Sequence, residues 1–153
     1  MEISITGFKK SAAVEIKEAT EFFVDLLFDA NVAKNLQLDI ERAAKMDFEG
    51  ECVNEDDTVD PRWFTISLRA GKDDEDPIKT LAHELVHVRQ SANNWLEKRT
   101  KTTKGKTTIQ AVWMGKPWAP SEKEDSYWDS PWELEAFGRE VGLYQRWLAS
   151  RSL

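Results

Sequence analysis

Histidine and cysteine are scarce in this 153-residue chain, which holds two histidines and one cysteine. The single cysteine, Cys52, excludes an internal disulfide framework, and no apolar run is long enough to span a membrane. Positive charge is also in deficit. The net charge of −7 argues against bulk binding to nucleic acid or to anionic membranes. No signal peptide or linker is recognisable, so residues 1–153 are expected to form one cytoplasmic domain.

Apolar periodicity divides the chain into helical and extended segments. The predicted helices span 13–32, 76–93 and 131–149. The predicted strands span 36–40, 48–53 and 63–68, and a hairpin follows over 99–116. Asp76 is expected to cap the second helix, Lys104 and Gly105 to form the hairpin turn, and residues 71–75 a polar turn. Residues 1–12 are expected to be either an ill-ordered, flexible lead or a short extended one.

The two histidines stand four residues apart, in the segment His83-Glu84-Leu85-Val86-His87. On a helix, residues i and i+4 share one face, so both imidazoles can reach a single metal ion. The glutamate lies beside that face, where it can take a proton from water. This is the H-E-x-x-H pattern of zinc hydrolases. The alternative is a pair of hydrogen-bonded core histidines, and Glu84 between them argues against it.

Two histidines do not complete a catalytic zinc site, which normally has three protein ligands and a water. In one class of zinc peptidase a third histidine follows, in the pattern H-E-x-x-H-x-x-G-x-x-H. The corresponding positions are Gln90 and Asn93, and the chain has no third histidine, so that class is excluded. The third ligand is therefore expected to be a carboxylate or Cys52.

The segment Ser130-Pro131-Trp132-Glu133-Leu134-Glu135-Ala136-Phe137 opens the last predicted helix. Together with the H-E-x-x-H segment it resembles the gluzincin metallopeptidases, in which a glutamate on a following helix completes the zinc site, often as Glu-x-x-Ala or Glu-x-x-Ser. Glu133 with Ala136 matches that pattern. The resemblance therefore implies that the zinc ligands are His83, His87 and Glu133. Glu135 is the rival ligand, and Ser130 with Glu133 also fits a helix-capping box.

The order of predicted elements is similar to that of small gluzincin-like or SprT-like domains, some of them phage-encoded, over about residues 35–150. The resemblance implies an α+β, zincin-like fold, with a small, twisted, mostly antiparallel sheet, an N-terminal helix, an active-site helix, a β-hairpin and a C-terminal helix. The chain departs from these families in three ways. Arg89 stands where an apolar residue is usual, Phe137 stands where larger gluzincins carry a histidine-orienting acid, and the third histidine of SprT-like proteins is missing.

The resemblance implies zinc-assisted hydrolysis of a peptide bond, with one Zn²⁺ per chain and Glu84 as the general base. The oxyanion that forms on the scissile carbonyl needs a donor beyond the metal. The candidates are Tyr127, Tyr144 and Arg139. Glu140 lies two helical turns after Glu133 on the same helix face, where it could hold a ligand histidine by its free ring N–H.

The expected partner is a protein or peptide substrate. The strand over 63–68 precedes the active helix. If it is an edge strand, it could pair with an extended peptide; the alternative is an interior strand of the sheet. The segment Lys98–Lys106 carries five basic residues in nine. This density predicts either a charged hairpin that protects a sheet edge or a patch for an anionic partner such as DNA.

Two other functions fit the motif. In a catalytically inactive zinc-binding or interaction protein of the same fold, the metal would be structural and its fourth coordination position closed. A deformylase-like amide hydrolase would pair H-E-x-x-H with an upstream cysteine in a Gly-Cys segment, which Gly50-Glu51-Cys52 loosely resembles.

Overall fold

The structure, a computed structural model, describes residues 1–44, 48–69 and 76–152. Within them the chain forms helices and two β-sheets, which confirms the expected α+β class. The polar turn expected over residues 71–75 lies outside the described residues.

The first half of the chain builds a four-stranded sheet of order β1-β2-β4-β3. Its strands are β1 (Glu2–Thr6), β2 (Gln37–Ala43), β3 (Gly50–Asn54) and β4 (Trp63–Arg69). β2 is parallel to both β1 and β4, and only β3 runs antiparallel to its neighbour. The expectation of a mostly antiparallel sheet is therefore wrong here. A helix carries the chain from the end of β1 back to the start of β2, and such a crossover leaves the two strands parallel.

β1 occupies the segment for which a disordered or a short extended lead was expected. It pairs with β2 from Glu2 opposite Gln37 to Thr6 opposite Glu41, and Ile3 and Ile5 pack against the core. The extended alternative therefore holds for these residues.

β4 lies inside the sheet, between β2 and β3. Its Phe64, Ile66 and Leu68 are fully buried, which is the pattern of a strand covered on one face. Of the two alternatives for this strand, the interior position therefore holds and the sheet edge is wrong. The edge on this side of the sheet is β3, which pairs with β4 alone among the described strands.

The helices cover one face of the sheet. They are α1 (Lys10–Leu27), α2 (Ala30–Ala33), α3 (Pro77–Ala92) and α4 (Pro131–Arg151). α1 and α3 contact each other as well as the sheet, and α4 packs against both of them. None of the helices in the described part of the chain combines the length and apolarity needed to cross a membrane.

α3 begins where the sequence predicts. The Asp76 side chain accepts a hydrogen bond of 2.9 Å from the backbone N–H of Ile78, and Pro77 fills the first helical position. The apolar stripe that includes Ile78, Leu81 and Leu85 is buried. This stripe sets the rotation of the helix and therefore the direction in which its histidines point.

A hairpin follows α3 and forms the second sheet, with strands β5 (Leu96–Thr103), β6 (Lys106–Trp113) and β7 (Lys116–Pro117). Lys104 and Gly105 have φ of 50° and 77°, as a type I′ turn requires at both central residues. The predicted hairpin and its turn are confirmed. The basic residues from Lys98 to Lys106 are exposed, and their use as a nucleic-acid patch stays a prediction.

Candidate metal centre

His83, His87 and Glu133 form a largely buried set of possible metal ligands, called here the metal group. One ligand atom from each lies within 4.8 Å of the others. The Nε2 atom of His83 is 3.2 Å from Glu133 Oε2, and the Nε2 atom of His87 is 2.9 Å from Glu133 Oε1. The histidines stand on successive turns of α3, and Glu133 stands in the first turn of α4. The packing of α4 on α3 therefore assembles the group.

The metal group has the properties that a divalent cation would satisfy. Glu133 Oε2 is buried and has no hydrogen-bonding partner among the described residues, which is costly for a buried acceptor. Glu84 and Glu140 add two carboxylates beside it. Lys79 brings positive charge near them, with its Nζ 3.8 Å from Glu140 Oε1. Two imidazoles and one carboxylate also form a donor set that catalytic zinc uses. The residues present therefore fit zinc.

The ring of His83 is oriented by Glu140. Its Nδ1–H donates to Glu140 Oε2 over 2.7 Å, so the Nε2 lone pair faces the metal group. This contact confirms that Glu140 holds a histidine by its ring N–H. Phe137, at the position where larger gluzincins carry an acid, instead packs edge-on against the His83 ring with a centroid distance of 4.5 Å.

The ring of His87 is oriented by Gln90, a fully buried residue for which the sequence had suggested no role. The Gln90 amide Nε2 donates to Trp132 O and to Glu135 Oε1, both at 3.0 Å. Both partners are acceptors, so the amide oxygen must face His87, whose Nδ1–H donates to it over 2.9 Å. Gln90 therefore leaves the His87 Nε2 lone pair free for a metal and ties α3 to the start of α4.

The carboxylate and the two imidazoles of the metal group also interact electrostatically. Burial alone would raise the pKa of Glu133, but its close contacts with the His83 and His87 imidazoles and the positive charge of those rings outweigh it and lower this pKa to about 2. Burial alone would lower the pKa of each histidine, but the contact with Glu133 and the neighbouring carboxylates raise both. A cation at the group competes with these protons, so its binding is expected to release protons.

Glu84 lies beside the metal group without belonging to it. It is only 5% exposed, and burial raises its pKa while the imidazoles of His87 and His83 oppose that rise. Gly50 on β3 makes room for it. A Cβ at position 50 would stand 2.6 Å from Thr80 Cγ2 and 2.9 Å from Glu84 Oε1, so only glycine lets the edge strand approach α3 this closely.

Comparisons with protein-family models, curated protein sequences and solved structures returned no match for this chain. The likeness to gluzincins therefore rests on the residues of two short segments, His83–His87 and Glu133–Ala136. The geometry of the metal group shows that these residues could hold a metal ion, and this does not depend on any relative.

Two other proposed third ligands lie away from the metal group. Cys52 is next to Glu84, and burial together with the charge of Glu84 raises the pKa of its thiol well above its ordinary value. Glu135 accepts the Gln90 hydrogen bond and pairs with Arg139, whose Nε is 3.5 Å from Glu135 Oε2. Neither residue contributes an atom to the group, so the structure brings Glu133 to the histidines instead.

The capping-box alternative for Glu133 is wrong. Ser130 is the N-cap residue of α4, but its side chain makes no capping hydrogen bond. Its hydroxyl donates instead to the backbone oxygen of Tyr127 over 2.8 Å. Glu133 is therefore free to point at the histidines.

The three oxyanion candidates are placed differently. The Tyr144 hydroxyl donates to Asp76 Oδ2 over 2.7 Å at the start of α3, and Arg139 is occupied by Glu135. The structure brings neither to the metal group. Tyr127 lies nearer, because its ring is 6.3 Å from the ring of Phe137, which packs on His83. Burial and the charges of Glu133 and Glu84 raise the pKa of Tyr127 to about 12. Its hydroxyl therefore stays protonated at neutral pH and can donate a hydrogen bond.

A cleft of about 880 Å³ ends at His87 and Glu133. It is lined by β3 with the loop that follows it, over residues 51–59, and by the start of β5 and Trp132. Consecutive residues of β3 line this cleft, although their side chains alternate between the two faces of the sheet. It is therefore the free backbone edge of β3 that faces the cleft.

Proposed function

We propose that this chain is a zinc-dependent metallopeptidase. The observation that carries the proposal is the convergence of two oriented imidazoles on one carboxylate. The Nε2 atoms of His83 and His87 both face Glu133, while both Nδ1 atoms are held by acceptors. Zinc held there would polarise the scissile carbonyl and acidify the attacking water.

Glu84 is the proposed general base. It would accept a proton from the attacking water and deliver it to the nitrogen of the leaving amine, so that the peptide bond breaks without a net change in protonation of the protein. Its burial and raised pKa suit this task, because a base works best when its pKa lies close to the working pH. Gly50 leaves the space that its carboxylate occupies.

The cleft supplies a path for the substrate. An extended peptide could add to the free edge of β3 by main-chain hydrogen bonds, which would lay its scissile bond across the metal group at the end of the cleft. The strand suggested for this role from the sequence was β4, but β4 is interior. Since Cys52 lies outside the metal group, the pairing that a deformylase-like enzyme requires has no support.

The proposal is tested on the parent protein by zinc analysis and a peptide-library cleavage assay. We expect one zinc per chain, cleavage of internal peptide bonds, and loss of cleavage after treatment with a chelator followed by its recovery with added zinc. A zinc-loaded protein that leaves every peptide intact would contradict the proposal and favour a structural role for the metal.

Tyr127 is the proposed oxyanion donor, and the chain provides its own control in its other tyrosine. Removing one such donor lowers kcat by about 10²–10³-fold in comparable sites. We therefore expect Tyr127→Phe to lose activity on this scale and to retain its zinc. Tyr144→Phe removes only the hydrogen bond to Asp76 and should keep kcat unchanged. Equal kcat values for the two variants would exclude Tyr127 from this role.

A further inference from the structure

Carboxylates dominate the cleft that leads to the metal group. Six line it, namely Glu51, Glu55, Asp56, Asp57, Glu97 and Glu133. Lys98 is the only lysine or arginine among the described residues that line it. A cleft whose walls carry one sign of charge concentrates ligands of the opposite sign.

Three of these carboxylates are available to a ligand. Asp56 accepts backbone hydrogen bonds from Arg62 and Trp63, and Glu97 pairs with Arg99. The side chains of Glu51, Glu55 and Asp57 are exposed and have no hydrogen bond or ion pair with a described residue.

The inner end of the cleft is marked by a second and independent feature. Glu133 lines the cleft, its side chain is 9% exposed, and its Oε2 has no hydrogen-bonding partner among the residues that the structure describes. The acidic walls therefore lead to a buried group that is built for a ligand and are not simply a solvated surface.

We infer that the cleft selects cationic peptides, with lysine or arginine side chains on the segment that lies along β3; this substrate class rests on the proposed peptidase function. Glu51 and Glu55 point to the same side of an extended backbone and are separated by about 13 Å along it. A peptide paired with this edge brings its own alternate side chains to the same side. Basic residues at such positions would meet these carboxylates and Asp57.

The test measures binding separately from cleavage. Zinc-loaded Glu84→Gln protein is titrated with three fluorescent peptides of one sequence, in which two positions four residues apart are lysine, glutamine or glutamate. We expect the lysine peptide to bind about tenfold more tightly than the glutamine peptide, as two partly exposed ion pairs allow. The difference should shrink at about 1 M salt, where the Debye length is near 3 Å. The glutamate peptide should bind most weakly.

Two matched variants locate the effect, because the whole chain carries a net charge of −7. Glu55→Gln with Asp57→Asn should abolish most of the preference for lysine. Glu21→Gln with Asp25→Asn removes the same charge from the exposed surface of α1 and should leave the preference intact. A preference lost equally in both variants, peptides bound without regard to charge, or no binding at all would overturn the inference.

Cleavage by the parent protein separates this inference from the proposed function. Peptides that bind with the expected preference but remain uncut would contradict the peptidase proposal and leave intact the inference that the acidic cleft selects cationic peptides. Peptides that are cut at equal rates whatever their charge would support the peptidase and overturn the cleft assignment.

Discussion

Replacing Glu84 by glutamine should lower kcat/KM for peptide hydrolysis by about 10²–10⁴-fold, the contribution of a general base. Glutamine has nearly the same shape as glutamate and fits the space that Gly50 leaves, but it cannot take a proton from water. The variant should still bind one zinc per chain, because Glu84 is not part of the metal group. Steady-state kinetics and zinc analysis on one preparation would measure both quantities.

The fold of this variant should be preserved, which separates lost chemistry from lost structure. Burial raises the pKa of Glu84 despite the opposing charges of His87 and His83, so the folded state disfavours its charged form and a neutral side chain should not destabilise the fold. The melting temperature without zinc should be equal to that of the parent or higher. Glu21→Gln on the surface of α1 is the control with the same chemical change, and its activity should match the parent. If Glu84→Gln cleaved peptides as fast as that control, Glu84 would not be the base.

The second large effect is expected from Glu133→Ala, which should abolish the stabilisation that zinc provides. A ligand at about 1,000 times its dissociation constant stabilises the folded state by about 4 kcal/mol, or about 10 °C in melting temperature for a chain of this size. We expect the parent to show a shift of this order and Glu133→Ala to show almost none at the same zinc concentration. Thermal unfolding with and without zinc measures the difference within each protein.

Glu135→Gln is the matched control for this prediction. It stands two residues further along α4, and glutamine there can still accept the hydrogen bond from Gln90. It should therefore keep nearly the full zinc-dependent shift. The opposite pattern, in which the Glu135 variant loses the shift and Glu133→Ala retains it, would mean that the third ligand is misassigned. Cys52→Ser should keep the shift as well, because its sulfur lies outside the metal group.

The parts of the site that were predictable from the sequence all depend on spacing within one helix. His83 and His87 share a face of α3 because they are one turn apart, and Glu140 follows Glu133 on α4 by two turns. Both relations hold in the structure, where Glu140 reaches His83 over 2.7 Å. The proposal of Glu133 came from the gluzincin resemblance, and the packing of α4 on α3 brings that residue to the histidines.

In the sequence, Gln90 stands out only because it occupies the position where one class of zinc peptidase carries glycine. A signal for its role was present, since a polar residue three after His87 on the same helix can reach that histidine. Its other bonds, to Trp132 and Glu135, join residues more than 40 positions apart. No local pattern encodes such contacts.

The order of strands in the sheet likewise could not be predicted from local sequence patterns. Alternating apolar residues predict that a segment is a half-buried strand, but they do not say which strand will be its neighbour. The order β1-β2-β4-β3 places β4 in the interior and leaves β3 at the edge. The position of the cleft depends on that order, because the free edge of β3 lines it.

The sequence by itself determined the shared face of His83 and His87, the glutamate beside them and the i+7 relation on α4, because helix geometry sets the directions of side chains within one element. Only the tertiary structure decided that Glu133 rather than Glu135 or Cys52 meets the histidines, that Gln90 orients His87, that Tyr127 rather than Tyr144 lies near them, and that β3 borders an acidic cleft. These outcomes depend on how separate elements pack, and that packing is set by the whole core rather than by any one segment.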